Sequence, residues 1–111
     1  MDIIFCKTKL KNICNDEDLC RKAFGDTRAK LLRRRLDDLR AAANLQDMKY
    51  LPGSCHELKG NLDGKLAISL DGPYRLIFAV ANDPQPKKQD GGLNWDGVTR
   101  IEILGVEDYH G

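Results

Sequence analysis

The chain has little of what usually announces a function from composition. Aromatic residues are 6% of its 111 residues and histidine occurs only twice, at His56 and His110. No apolar run approaches the roughly 20 residues needed to span a bilayer. The opening MDIIFCKTKL lacks a signal peptide's basic start, long apolar run and small-residue cleavage site. These absences point to a cytoplasmic protein without a membrane partner. The four cysteines, Cys6, Cys14, Cys20 and Cys55, show no CxxC spacing and no histidine pair at zinc-ligand spacing. A metal site or a disulfide framework is therefore not expected, and reduced thiols suit a reducing compartment. An excess of one charge is missing too, with 18 basic against 17 acidic residues and a net charge of +1. Any affinity for nucleic acid must come from where the charges sit rather than from their sum.

What is present reads as a single domain, 1–111, long enough to bury one core. DIIFC is a short β-branched and aromatic run that predicts a first strand. From Lys7 to Phe24 apolar and charged residues alternate at helical spacing as far as Gly25, a natural helix stop. Asp26 or Thr27 can then cap a second helix, TRAKLLRRRLDDLRAAANL, on which Ala29, Leu32, Leu36, Leu39 and Ala43 recur at steps of three and four. That stripe faces a core. The rest of the helix carries Arg28, Lys30, Arg33, Arg34, Arg35 and Arg40, a basic surface that fits a phosphate backbone, an acidic partner or simply solvent.

After YLPG the period changes to two. In KLAISLDGPYRLIFAV, Leu66, Ile68 and Leu70 alternate with Lys65, Ala67 and Ser69, and Tyr74, Leu76, Phe78 and Val80 alternate with Arg75, Ile77 and Ala79. The pattern predicts a hairpin. A two-residue Asp71-Gly72 loop would bury Arg75 among leucines, so an odd loop that takes in Pro73 is favoured. It sets Leu66, Ile68 and Leu70 beside Phe78, Leu76 and Tyr74, and leaves Arg75 on the other face with Ala67 and Ser69. A long connection, NDPQPKKQDGGLNWDG, reads as mobile. VTRIEILGV is the last strand, and it runs into the ending GVEDYHG.

One histidine thus enters the sheet and the other leaves it. If the strands that carry them lie close, His56 and His110 share a cleft with Lys59, Arg75, Asp108 and Tyr109. Such a group suits metal-independent cleavage of RNA. The 2′-hydroxyl must lose a proton as it attacks phosphorus, the 5′-oxygen must gain one, and the crowded phosphate needs fixed positive charge. Imidazole exchanges protons near neutral pH, arginine and lysine stabilise the phosphate, and tyrosine can stack on a base.

The ordered set LPG, H-x-L-K-G, an alternating strand, a turn, an aromatic before RLIF, and a terminal DYH closely resembles the HigB group of the RelE/ParE toxin superfamily over residues 51–111. The resemblance implies an α+β, RelE-like fold, with an N-terminal strand and two helices packed on a small antiparallel sheet. It implies a toxin of a type II toxin-antitoxin system that cleaves messenger RNA in the ribosomal A site, needs no cofactor or metal, and is silenced by a HigA-like helix-turn-helix antitoxin. The family's catalytic residues carry over onto His56, Lys59, Arg75, Asp108, Tyr109 and His110. Two departures stand out, Lys65-Leu66 and Pro73-Tyr74, where relatives often have an aromatic pair and Asn-Trp. The superfamily also offers a ParE-like toxin that inhibits DNA gyrase without chemistry, and an inactive homologue that only binds antitoxin.

Overall fold

The computed structural model describes residues 1–62 and 64–108, without the side chain of Asn61. Strand β1 (Asp2–Phe5) is followed by helices α1 (Thr8–Asn15), α2 (Glu17–Phe24) and α3 (Asp26–Ala41). A 3-10 turn at Leu45–Tyr50 leads to the short strand β2 (His56–Glu57) and a second such turn at Gly60–Leu62. The hairpin β3 (Lys65–Ser69) and β4 (Tyr74–Val80) comes next, and the long connection delivers β5 (Arg100–Asp108). One sheet collects all the strands in the order β1-β5-β4-β3-β2.

This is the expected α+β architecture, with two corrections. The sheet is mixed, because β1 runs parallel to β5 while the other pairs are antiparallel. The helices number three among the described residues, because the segment from Lys7 to Phe24 breaks at Asp16. There the carboxylate accepts the Leu19 N–H at 3.1 Å and caps α2, while the Asp16 N–H closes α1 on the Ile13 carbonyl. Aspartate competes well for this role because its side chain satisfies a donor that the first helical turn leaves unpaired. Gly25, at φ 83°, ends α2 in a conformation that favours glycine and flanks the start of α3 in place of Asp26 or Thr27.

Ala29, Leu32, Leu36 and Leu39 of α3 are buried as expected. The helix stops at Ala41, so Ala42 takes the next buried place and Ala43 is exposed. The α3 stripe packs in one cluster with Leu66, Ile68, Leu76, Phe78, Ile101 and Ile103, which all come from one face of the sheet. Each such side chain contributes roughly 1.5–3 kcal/mol when taken out of water, and most of the fold's stability lies in this layer.

The hairpin has the favoured register, with Leu66 opposite Phe78, Ile68 opposite Leu76 and Ser69 opposite Arg75. The Leu70 N–H donates to the Tyr74 carbonyl at 3.0 Å across a three-residue connection. Arg28 holds the tip of this hairpin from α3. Its Nε and Nη2 donate to the two carboxylate oxygens of Asp71 at 3.0 and 3.2 Å, and its guanidinium lies 3.3 Å from the centroid of the Tyr74 ring.

The connection between β4 and β5 is folded rather than slack. The Asn82 side chain closes its base by accepting the Thr99 and Arg100 N–H groups and donating to Thr99 Oγ1. Lys87 pairs with Leu93 across a small turn, and Leu93 and Trp95 pack against the main core.

Candidate active site on the outer face of the sheet

The face of the sheet turned away from the helices carries the alternate residues of the same strands. Register places Ser69, Arg75 and Glu107 in one row across it, and His56, Ala67, Ile77 and Gly105 in the next. His56 and Arg75 therefore share a face, two strands and one row apart, with only the small Ala67 and Ser69 between them. At about 4.8 Å per strand the lateral separation of their backbones is about 10 Å. The middle of this face is closed by a second, smaller cluster of Leu58, Ala67 and Ile77, against which Leu62 and Leu104 pack. His56 and Arg75 stand at its margin.

The bend that precedes β2 sets the histidine. Gly53 has φ 112° and Ser54 φ 51°, the latter the one described non-glycine residue in the left-handed region. Such a conformation costs on the order of 1–2 kcal/mol. It is held by Ser69, whose N–H donates to the Gly53 carbonyl at 2.7 Å, while the Nε–H of Arg35 donates to the Ser69 carbonyl at 3.2 Å. The Ser54 carbonyl is thereby brought to 2.8 Å from Nδ1 of His56. A carbonyl can only accept, so Nδ1 carries the proton and the neutral ring leaves Nε2 as its base. The imidazole itself is exposed.

Arg75 is fixed by the hairpin turn. Its Nη1 donates to the carbonyls of Gly72 and Tyr74, both at 3.0 Å. Among the described residues no carboxylate lies within ion-pair distance of it, and several of its five N–H donors remain available to an anion.

The remaining expected site residues are placed less simply. Lys59 is exposed in the turn after β2. Strands β2 and β5 are not neighbours, since β3 and β4 separate them. Asp108 falls opposite Tyr74 and so on the helix side of the sheet, while Glu107 stands opposite Arg75. The cause is a bulge. Ile77 pairs with Gly105 and Phe78 with Ile103, which leaves Leu104 as an extra residue and changes the parity of β5. Ile101 and Ile103 face the helices before it, Val106 and Asp108 after it. Glu107 is the residue that reading the sequence missed, and the glycine in ILGV was the available signal, since glycine inside a strand marks such irregularities. Tyr109 and His110 lie outside the described residues.

The basic surface of α3 is largely committed within the molecule. Arg28 and Arg35 are tied to the hairpin and its neighbour, Arg33 pairs with Glu17 at 3.2 Å, and Arg40 reaches Asp37 at 3.5 Å and Asn15 at 3.0 Å. Lys30 and Arg34 are exposed. They line a groove of about 410 Å³ between α2 and α3, together with Arg33, Glu17, Asp26 and Asp37. Carboxylates alternate with cations there, so the surface is not a uniform anion track, and it belongs to the helical layer rather than to the sheet face of His56 and Arg75. No described helix is long and apolar enough to cross a membrane, and no described cluster of His, Cys, Asp and Glu can hold a metal ion.

A short helical layer covers one face of a small sheet, and the candidate site lies on the other. Solved structures with this fold include a YoeB/ParE toxin from Agrobacterium tumefaciens, with a TM-score of 0.60 at 10% identity over 99% of this chain and 100% of that one. The YoeB-YefM complex from Staphylococcus aureus superimposes with a TM-score of 0.58 at 15% identity over 100% and 98% of the two chains. The YoeB dimer from Staphylococcus aureus gives 0.56 at 19% over the same shares. No curated protein matches. The sequence profile of the HigB-like toxins, RelE-like toxins of type II toxin-antitoxin systems, matches residues 4–85, and the chain belongs to that family.

Proposed function

We propose that this toxin is an endoribonuclease that cleaves messenger RNA in the ribosomal A site, and that a HigA-like helix-turn-helix antitoxin silences it. The observation that carries this reading is the shared outer face of His56 and Arg75, the first with Nε2 directed away from its backbone anchor and the second with no carboxylate partner among the described residues. A binding surface has no need of a histidine with its tautomer fixed; proton transfer does. In this scheme His56 and His110 exchange the two protons, one taken from the attacking 2′-hydroxyl and one given to the departing 5′-oxygen. Arg75 and Lys59 stabilise the pentacoordinate phosphate, and Tyr109 stacks on a base. The S. aureus relative seen as a YoeB-YefM complex supports a protein antitoxin as the partner.

Primer extension on a defined message, with programmed ribosomes and a ribosome-free control, tests the proposal. Cuts within A-site codons are expected from the parent protein, and loss of cutting by roughly 10²-fold or more from His56→Gln, His110→Gln and Arg75→Ala. Growth arrest by all of these proteins with an intact message would instead favour a ParE-like toxin that acts by binding gyrase. Absence of arrest with antitoxin binding retained would mark an inactive homologue.

A further inference from the structure

Strand β2 is a weak support for a residue that moves protons. It has two residues, lies at the edge of the sheet and, among the described strands, pairs with β3 alone. So short an edge strand opens readily, since few backbone hydrogen bonds and little buried area hold it. Its second residue is gripped from the far side. The indole N–H of Trp95 donates to Glu57 Oε2 at 3.0 Å, and the Lys49 ammonium stands 4.7 Å from the centroid of the same ring.

Trp95 is itself well braced. The Asn94 N–H bonds to the Pro86 carbonyl and the Gly97 N–H to that of Asn94, both at 3.0 Å. A methyl group at Gly97 would come within 2.8 Å of Pro86 Cβ, so the two limbs of the connection are in close contact. The ring also packs against the main core. The long connection therefore links a rigid part of the molecule to the residue beside His56.

We propose that Trp95 and Glu57 are positioning residues, and that the connection between β4 and β5 braces β2 so that His56 keeps its bond to the Ser54 carbonyl and presents Nε2 to substrate. His56 and Glu57 point to opposite faces of one strand, so the grip on Glu57 holds the histidine without occupying its face. The consequence for catalysis rests on the nuclease reading above; the consequence for the imidazole does not.

The test uses the full chain in three variants. Trp95→Phe keeps an aromatic ring beside Lys49 and removes the donor, together with part of the ring's packing on the core. Glu57→Ala removes the acceptor at an exposed position and leaves the core untouched, which keeps the test informative if the tryptophan variant folds poorly. Glu57→Gln retains an oxygen that accepts the indole proton and serves as the rescue. Nitrogen-15 NMR of His56 across its titration reads the tautomer directly. The parent and Glu57→Gln are expected to show the proton on Nδ1 in the neutral ring, and Trp95→Phe and Glu57→Ala a mixture of tautomers. In ribosome-dependent cleavage the same two variants should lose roughly tenfold in kcat with KM little changed, as expected for a displaced reacting group, while Glu57→Gln stays near the parent. A parent-like tautomer and pH profile in both Trp95→Phe and Glu57→Ala would overturn the brace. A tautomer change in a protein whose parent cleaves nothing would uphold the brace and sink the nuclease reading.

Discussion

The two faces of the sheet are made from alternate residues of the same strands, yet they are built to different rules. The inner face presents Leu66, Ile68, Leu76, Phe78, Ile101 and Ile103, each under 2% exposed and packed in one cluster with α3. The outer face presents Lys65, Ala67, Ser69, Arg75, Ala79, Glu102 and Glu107, with a single small apolar cluster in its middle. A face that must exclude water is specified by bulk and shape. The other face is released from that demand and can carry charge, small residues and an exposed imidazole. The same contrast separates two arginines at one hairpin. Arg28 is spent on Asp71 and Tyr74, whereas Arg75 has no side-chain partner among the described residues and bonds to backbone carbonyls.

The sharpest way to break the comparison is to truncate one residue on each face. Phe78→Ala on the inner face should cost about 3–5 kcal/mol and lower Tm by more than about 10 °C. Arg75→Ala on the outer face should cost under about 1 kcal/mol, as surface changes usually do, and reduce ribosome-dependent cleavage by roughly 10²-fold or more. Thermal unfolding of both proteins beside the cleavage assay checks the pair. An arginine variant that unfolds like the phenylalanine one would make the outer face structural.

Gly53 couples the faces, and a single methyl group there should affect both. At φ 112° the position disfavours any other residue, and an alanine Cβ would overlap Ile68 Cγ2 and lie 2.9 Å from Arg35 Nε. Gly53→Ala should cost roughly 2–3 kcal/mol through overpacking and backbone strain. Because the same bend turns the Ser54 carbonyl onto His56, cleavage at a temperature where the variant is folded should also fall. Denaturant unfolding and cleavage at 20 °C separate the two effects.

A smaller effect is expected where α3 meets the hairpin tip. Asp71→Asn keeps the side chain's shape and removes the charge that receives Arg28. With the two side chains 22% and 31% exposed, the loss should be about 1 kcal/mol, near the upper end for partly solvated pairs. The urea midpoint measures it, and its decline in the parent protein with added salt provides a second check.

How much of this was legible follows from which interactions are local. The α3 stripe and the hairpin register could be read because each rests on a short period and on the cost of burying Arg75 among leucines. The break at Asp16 was not read, since a capping aspartate inside an amphipathic segment leaves the spacing of apolar residues almost undisturbed. The placement of Asp108 failed at the bulge, where one extra residue reversed the parity of the strand from Gly105 to Asp108. The bond between Trp95 and Glu57 joins residues 38 apart and carries no pattern at all. His56 and Arg75 were selected by chemistry, and register then put them on one face. The order of strands, which keeps β2 and β5 apart, depends on contacts that no local periodicity encodes.

The faces also differ in their thiols, and this gives the mildest test. Cys14 and Cys20 are buried in the main core, Cys55 packs against it, and Cys6 is exposed. Burial, with the nearby Cys20 adding to it and Arg40 opposing it, pushes the Cys14 thiol from 9.0 up to about 11, and burial alone pushes Cys55 up to about 12. The fold therefore favours the protonated thiols. Below pH 9 both states hold those protons and the stabilisation is fully present. As pH rises above 9 the unfolded chain releases protons that the folded one keeps, so stability falls until about pH 11 for Cys14 and about pH 12 for Cys55. One unit above 9 the loss is on the order of 1 kcal/mol per thiol. Urea midpoints at pH 7.5, 9 and 10 should decline more steeply in the parent than in a Cys14→Ala, Cys55→Ala protein, where the ionisation of lysines and tyrosines is shared and cancels. Iodoacetamide at pH 8 should modify Cys6 well before the others. Equal slopes in the two proteins, or early labelling of Cys14, would mean that the helical layer opens to water far more readily than its packing implies, and the contrast between the faces would be one of composition rather than of protection.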